Sequence, residues 1–232
     1  MKKVDIAIIG ALSEEVEGFI ARLSEKECEK VGITDFYTGI LEGKRVAIAK
    51  CGVGKVFAAM TAQAMIIKYS PSLIVNTGVG GALGVGLKTS DTVIANKLCQ
   101  HDMDTSALGD PKGLISGINK IYFDADSRAV EILSASAERL GLTSVVGTVA
   151  SGDRFIASRE EKERIVSEFS AIACEMEGAA IAQTAYVGGV AFAVVRAISD
   201  SADGEATMDY PSFLPIAVKN STALTLSLIK EY

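Results

Sequence analysis

Three carboxylates offer chemistry in a chain with a single histidine. Glu15 lies six residues past the apolar run 4–9, Glu177 follows the short apolar run 171–174, and Asp200 closes the run 190–198 directly after Ser199. Residues just beyond the carboxyl ends of strands are where α/β proteins bind ligands. Taken one at a time, ordinary structural roles suffice. Glu15 and Glu177 place favourable charge at helix N-termini, worth about 0.3–1 kcal/mol, and Asp200 reads as a loop cap. Taken together, they suit cleavage of a glycosidic bond, which needs an acid for the leaving group and a base for water. His101 is the only histidine, and the chain does not place Ser and Asp partners around it; acid–base work therefore falls on carboxylates.

Two glycine motifs fail as nucleotide cradles. Gly52-Val53-Gly54-Lys55 resembles a phosphate-binding loop, but Ala49 and Val56 stand where that loop needs Gly and Ser/Thr. Gly78-Val79-Gly80-Gly81-Ala82-Leu83-Gly84 misses the dinucleotide fingerprint because Leu83 occupies the third glycine position. Both read as turns that need positive φ or a close backbone approach.

The elements that must position these residues alternate along the chain. Strands are expected over 4–9, 73–77, 92–95, 144–150, 171–174 and 190–198, and 36–41 with 45–50 read as a hairpin across Glu42-Gly43-Lys44. Helices are expected from a Ser13 cap to about 23, over 57–69 up to Ser70-Pro71, over 126–140, after the capping box Ser158-x-x-Glu161, over 178–186, and from Pro211 to about 230. Residues 100–117 and 200–211 read as long irregular stretches, which in compact domains are often functional. This order predicts one α/β domain over 1–232, a mixed and mostly parallel sheet covered by helices on both faces.

Composition narrows the partners. With 49% hydrophobic and 22% charged residues the chain is not intrinsically disordered. It carries 23 basic and 29 acidic residues, a net charge of −6, with no basic run beyond Lys2-Lys3, so nucleic acid is not an expected partner. Cys28, Cys51, Cys99 and Cys174 never form C-x-x-C, so neither a disulfide framework nor a zinc site is expected. The opening apolar run is too short and too acidic in its flank for a signal peptide or a membrane span, which points to a cytoplasmic protein.

The segments Ile8-Ile9-Gly10-Ala11-Leu12-Ser13-Glu14-Glu15, Cys51-Gly52-Val53-Gly54-Lys55, Asn76-Thr77-Gly78, Ser151-Gly152-Asp153, Glu175-Met176-Glu177 and Arg196-Ala197-Ile198-Ser199-Asp200 follow in that order. In this combination the chain resembles the bacterial 5′-methylthioadenosine/S-adenosylhomocysteine nucleosidases of the nucleoside phosphorylase superfamily, from about residue 6 to the last helix. The resemblance implies a three-layer α/β/α sandwich with a mixed central sheet, a homodimer, and hydrolysis of an adenine N-glycosidic bond without metal or organic cofactor. It implies Asp200 as the acid that protonates adenine N7, with a pKa raised in the occupied site, and Ser199 as the group orienting it. Glu15 would activate water with Arg196 nearby, and Glu177 would clamp the ribose hydroxyls beside Met176. Phe155 would stack on the purine and the Ile156 backbone would read its edge.

One position separates the chain from phosphate-using relatives, and two depart from the nucleosidase pattern. Asn76 stands where phosphate-using relatives carry Arg, which favours water over phosphate. Val79 replaces the Ser of many nucleosidases, and Tyr210 replaces the usual Phe in a 5′-substituent pocket that would involve Leu12, Val53, Thr105 and Leu108. The rivals are a futalosine or aminofutalosine hydrolase, a nucleoside phosphorylase, and a catalytically silent nucleoside binder.

Overall fold

A computed structural model describes residues 3–202 and 206–232, with side chains in the last helix from Tyr210 onward. Its centre is β1 (Ile6–Gly10), buried at every position. A continuous apolar run suits a strand covered on both faces. It pairs in parallel with β4 (Lys44–Lys50) on one side and β5 (Leu73–Ala82) on the other. The expected hairpin joins β3 (Thr34–Leu41) to β4 through Glu42 and Gly43, both at positive φ.

An unforeseen strand, β2 (Ser24–Val31), adds to the outer edge of β3. Its residues are exposed almost throughout and have no apolar alternation to betray a strand; its charges protect a sheet edge from pairing with another chain. Consequently α1 (Ser13–Ile20) ends before residue 23. Its N-cap is Leu12 rather than Ser13, and the Glu15 carboxylate in the first turn reaches back to accept from the N–H groups of Leu12 and Ala11.

The other half of the sheet curls. Strands β6 (Thr92–Gln100), β8 (Ser144–Ser151), β9 (Ala171–Glu175) and β10 (Ala191–Asp200) follow β5 in a ring, closed because β10 pairs with both β6 and β5. A two-residue strand, β7 (Phe123–Asp124), hangs on β6. Of the ten strand pairings among the described residues, five are parallel and five antiparallel, so the sheet is evenly mixed rather than mostly parallel. Closure supplies two of the antiparallel pairings, where β6 meets β10 and β9 meets β5, and the hairpin strands β2, β3 and β4 with the short β7 supply the other three.

Helices cover both faces, giving the three-layer sandwich. On one face α2 (Lys55–Tyr69) and α5 (Gly178–Gly188) bury Ala62, Met65 and Ile181 against Ile9, Ile74 and Val194. On the other, α1, α3 (Ser127–Arg139) and α6 (Ala206–Glu231) bury Phe19, Leu133 and Leu228 against Ile8, Val75 and Val195. Asp126 caps α3 through the Ala129 N–H, worth about 1 kcal/mol. Ser158 caps α4 (Arg159–Phe169) as its capping box predicts, and that helix packs Ile165 and Phe169 near Cys99.

The last helix starts at Ala206, upstream of the expected start, with Pro211 and Pro215 inside it. An interior proline costs about 3 kcal/mol, and the burial of Leu224, Leu228 and Ile229 with a Thr225–Thr77 hydrogen bond of 3.0 Å offsets such costs. Residues 203–205 of the expected irregular stretch lie outside the described residues. Of the other long stretch, Gln100 belongs to β6, and beyond it Ser106–Leu108 forms one 3-10 turn.

Candidate active site

The site forms where β5 changes partners. Its first part pairs with β1 as far as Asn76, and its last residues, Gly81 and Ala82, pair with β9. Between them β5 keeps only β10, and a cleft opens along its other side. The Val79 N–H donates there to Glu15 Oε1 at 3.1 Å. The other oxygen, Oε2, accepts from Ala11 N–H at 2.6 Å and Leu12 N–H at 3.0 Å. Three backbone donors, two from the turn after β1 and one from within β5, thus converge on one carboxylate. Burial nonetheless raises the Glu15 pKa, outweighing Arg196 and those three donors.

The glycines of β5 are explained by this crowding and not by turns. Gly78, Gly80 and Gly81 lie within the strand and are absent from the positive-φ positions, which corrects the turn reading. A Cβ on Gly78 would collide with the Glu15 carboxylate and with Arg196 Nη1, and one on Gly81 would meet Asp200 Oδ1 at 2.8 Å. Gly52 and Gly54 do adopt positive φ. Lys55, which follows them, turns away to Asp102 at 2.6 Å and Gln100 at 3.1 Å, so it holds neighbouring segments together instead of awaiting a phosphate.

Arg196 sits in register with Gly78 and is fully buried under the cleft. Its Nη2 donates to Glu175 and to Asn76 Oδ1, and lies 3.8 Å from Glu177 Oε2. Asn76 in turn donates to the Ile9 carbonyl at 2.9 Å, which is the structural work done at that position. Burial opposes the charge on Arg196, but Glu175, Glu177 and Glu15 together raise its pKa further.

Glu177 is the N-cap of α5, and its Oε1 accepts from Gly54 N–H at 2.8 Å. Burial first, then the charge of Glu175, pushes its carboxyl up to about 7, against the pull of Arg196. Asp200 ends β10 just past an irregularity between Ile198 and Asp200 in the pairing with β5. Such a bulge re-aims a side chain. Ser199 Oγ donates to Asp200 Oδ2 at 2.9 Å, and Ala202 N–H to Oδ1 at 2.9 Å.

Glu15, Glu177, Asp200 and Ser199 line one cavity of about 540 Å³ with Leu12, Val53, Val79, Phe155, Ile156, Met176 and Tyr210. Phe155 and Tyr210 meet edge to face, with ring centroids 5.9 Å apart. Burial and the nearby carboxylates, Glu15 foremost, push the Tyr210 phenol up to about 12. Arg196, by contrast, is beneath the wall and not part of it, and Thr105 and Leu108 do not line the cavity. Leu108 is 84% exposed.

The wall also contains residues that sequence reasoning passed over: Glu175, Cys174 and Arg154. Glu175 had one visible signal, a second acid two positions before Glu177 at a strand end. Arg154 had none, since a basic residue in a loop is ordinarily solvated; here it pairs with Glu161 at 2.6 Å on the cavity rim. The cavity is of small-ligand size, apolar in its walls and acidic at its floor, a combination that suits a neutral or cationic organic ligand with a few polar groups.

Comparison with known proteins gives the same direction. The sequence model of the phosphorylase superfamily matches residues 5–230. A 5′-methylthioadenosine/S-adenosylhomocysteine nucleosidase from Actinobacillus succinogenes is 37% identical over 227 residues, 97% of this chain and 98% of that protein. The crystal structure of a nucleosidase of that kind from Neisseria meningitidis, in complex with methylthio-immucillin-A, superposes with a TM-score of 0.95 at 34% identity, over 98% of this chain and 99% of that one. A futalosine hydrolase from Helicobacter pylori superposes with a TM-score of 0.94, also at 34% identity, over 98% of each chain.

Proposed function

The chain belongs to the 5′-methylthioadenosine/S-adenosylhomocysteine nucleosidases of the phosphorylase superfamily, and from that premise we propose that it hydrolyses the adenine N-glycosidic bond of both nucleosides, and of 5′-deoxyadenosine, to adenine and the corresponding ribose. The C1′–N9 bond breaks with its electron pair going to the base. Asp200, steadied by Ser199, supplies a proton to N7 of the departing adenine. Water adds to C1′ and gives its proton to Glu15, which burial makes a stronger base than an ordinary glutamate. The ribosyl group is cationic at the transition state, and the carboxylates of Glu15 and Glu177 offer it opposite charge in a site shielded from water. Glu177 accepts from the ribose hydroxyls beside Met176, while Phe155 stacks on the purine and the Ile156 backbone reads its edge.

One observation carries hydrolysis over phosphorolysis. The three N–H groups that could grip an incoming oxyanion, on Ala11, Leu12 and Val79, are already filled by the Glu15 carboxylate. Adenine release from 5′-methylthioadenosine in phosphate-free buffer is expected, unchanged when phosphate is added. Release only with phosphate would make the chain a phosphorylase, and binding without release would make it a silent binder.

A second reading rests on Arg154 and Tyr210, which put a cation and a hydroxyl on the cavity wall. With Arg154 already paired to Glu161, these groups suit a polar 5′-substituent without choosing among S-adenosylhomocysteine, futalosine and aminofutalosine, all of which carry a carboxylate there, so the last two belong in the same assay. The assembly we propose is a homodimer formed through α2. Val56, Met60 and Ile67, spaced along one face of that helix, are 69%, 64% and 62% exposed, a stripe that a soluble chain usually covers. The dimer would also bring apolar Leu108 to a partner; sedimentation at twice the chain mass is the expected result. Four free thiols accord with work in the reducing cytoplasm, as one domain.

A further inference from the structure

We propose that Glu175 is a positioning residue for the reaction: with one carboxylate it holds both the Arg196 guanidinium and the backbone turn that presents Glu177. The proposal rests on the nucleosidase reading, in which Glu177 and the groups around Arg196 act on the ribose.

The geometry is that of a hub. Glu175 closes β9 and is buried. One oxygen accepts from Ser151 Oγ, on the neighbouring strand β8. The other accepts from Arg196 Nη2, from Glu177 N–H at 3.0 Å and from Gly178 N–H at 2.7 Å. Ser151 Oγ also accepts from Ala179 N–H at 2.7 Å. The orphan N–H groups at the start of α5 are thus served by Glu175 and Ser151, leaving the Glu177 carboxylate free to reach Gly54 N–H. An N-cap residue normally spends its own side chain on those groups. Here the preceding acid does that work, and Glu177 keeps its oxygens for the cavity.

Charge follows from the same contacts. Burial opposes ionisation of Glu175, yet Arg196, Ser151 and the Gly178 N–H hold its carboxyl below the ordinary glutamate value, so it stays ionised. Its fixed negative charge then adds to the burial that pushes the Glu177 carboxyl upward. The other charged or titratable groups facing Glu177 are Arg196 from β10, Glu15 from α1, the Cys51 thiol after β4 and the Tyr210 phenol from α6, which stays neutral. The thiol is neutral because burial pushes it far above its ordinary value. Gly178 leaves no room for adjustment, since a Cβ there would lie 3.2 Å from both Glu175 oxygens.

Glu175→Gln keeps the shape and removes the charge. A misplaced reacting group typically loses about 100-fold in rate, so kcat for adenine release is expected to fall about 100-fold with KM changed far less. The limb of the pH profile that Glu177→Gln abolishes should move to lower pH, because a repelling charge is gone and Arg196 is left to Glu177. Glu175→Asp, which retains charge but shortens the reach, should lose kcat and leave that limb in place. The Glu177 titration itself is read by carbon-13 NMR of glutamate-labelled protein, assigned with Glu177→Gln, and needs no turnover. A wild-type protein that releases no adenine would overturn the functional reading while the NMR midpoint still tests the hub. A folded Glu175→Gln protein with kcat within threefold of wild type and an unmoved Glu177 midpoint would overturn the proposal. Should that variant fail to fold, Ser151→Ala decides: a several-fold loss of kcat at unchanged KM is expected, and wild-type kcat overturns the hub.

Discussion

The floor and the rim of the cavity are built on opposite principles. On the floor, Glu15, Glu175, Glu177 and Asp200 sit at strand ends or helix starts with Arg196 beneath them in mid-strand, all under 10% exposed and each held by hydrogen bonds. On the rim, Val53 and Phe155 are 49% and 46% exposed and come from loops. The floor costs desolvation energy, which a marginally stable fold tolerates because each charge has a partner. In return its groups need not reorganise during the reaction. Apart from the Arg154–Glu161 pair the rim is apolar and open, so substrate must complete it. Chemistry is thus preset by the scaffold, and recognition is finished by the ligand.

The largest test of this contrast is on the floor. Asp200→Asn keeps the shape and the Ser199 contact but cannot give up a proton. It should lower kcat/KM for adenine release by about 1,000-fold, within the usual range for a general acid. A nucleoside whose leaving group needs no protonation should lose far less. Equal losses for both substrates would show that Asp200 acts by shape and not by proton transfer.

On the rim, Phe155→Ala should raise KM by about 10- to 100-fold, since stacking on a base is worth about 1–3 kcal/mol, while kcat changes only a few-fold. A collapse of kcat with KM intact would break the contrast, because the rim would then be setting the chemistry.

The last test is on stability. The Glu177 carboxyl is raised to about 7 from an ordinary 4.5. A raised acid binds its proton more tightly in the folded state, so its stabilising contribution is complete below pH 4.5 and is lost as pH rises through 7. The thermal midpoint of the ligand-free protein should therefore fall, relative to Glu177→Gln, between pH 5 and 8. Comparison at each pH removes His101, whose burial lowers its pKa and acts in the opposite direction. A constant difference between the two proteins would mean that Glu177 titrates normally.

Much of the fold was legible because local physics and tertiary structure agree there. The buried run that became β1, the capping box of α4 and the hairpin β3–β4 need no distant partner to be recognised. β2 was invisible because an edge strand of charged residues has no buried face to set a period, and α6 was foreseen too short because its packing overrides the prolines. The three acids were legible by position alone. Glu175 was passed over because its value lies in four partners, drawn from β8, β10 and its own turn, that are remote in sequence or indistinguishable from ordinary backbone.

The amino-acid sequence by itself determined the alternation of strands and helices, the acids at strand ends and the poverty of histidine that hands acid–base work to them. These are properties of residue type and near-neighbour spacing. Only the tertiary structure decided what the glycines of β5 are for, that Arg196 lies under the cavity and not in its wall, and that the backbone donors around Glu15 are already taken. Each of those depends on contacts between segments remote in sequence, such as Gly78 and Val79 of β5 meeting Glu15 of α1 and Arg196 of β10, and such pairing is a long-range choice that no local pattern encodes.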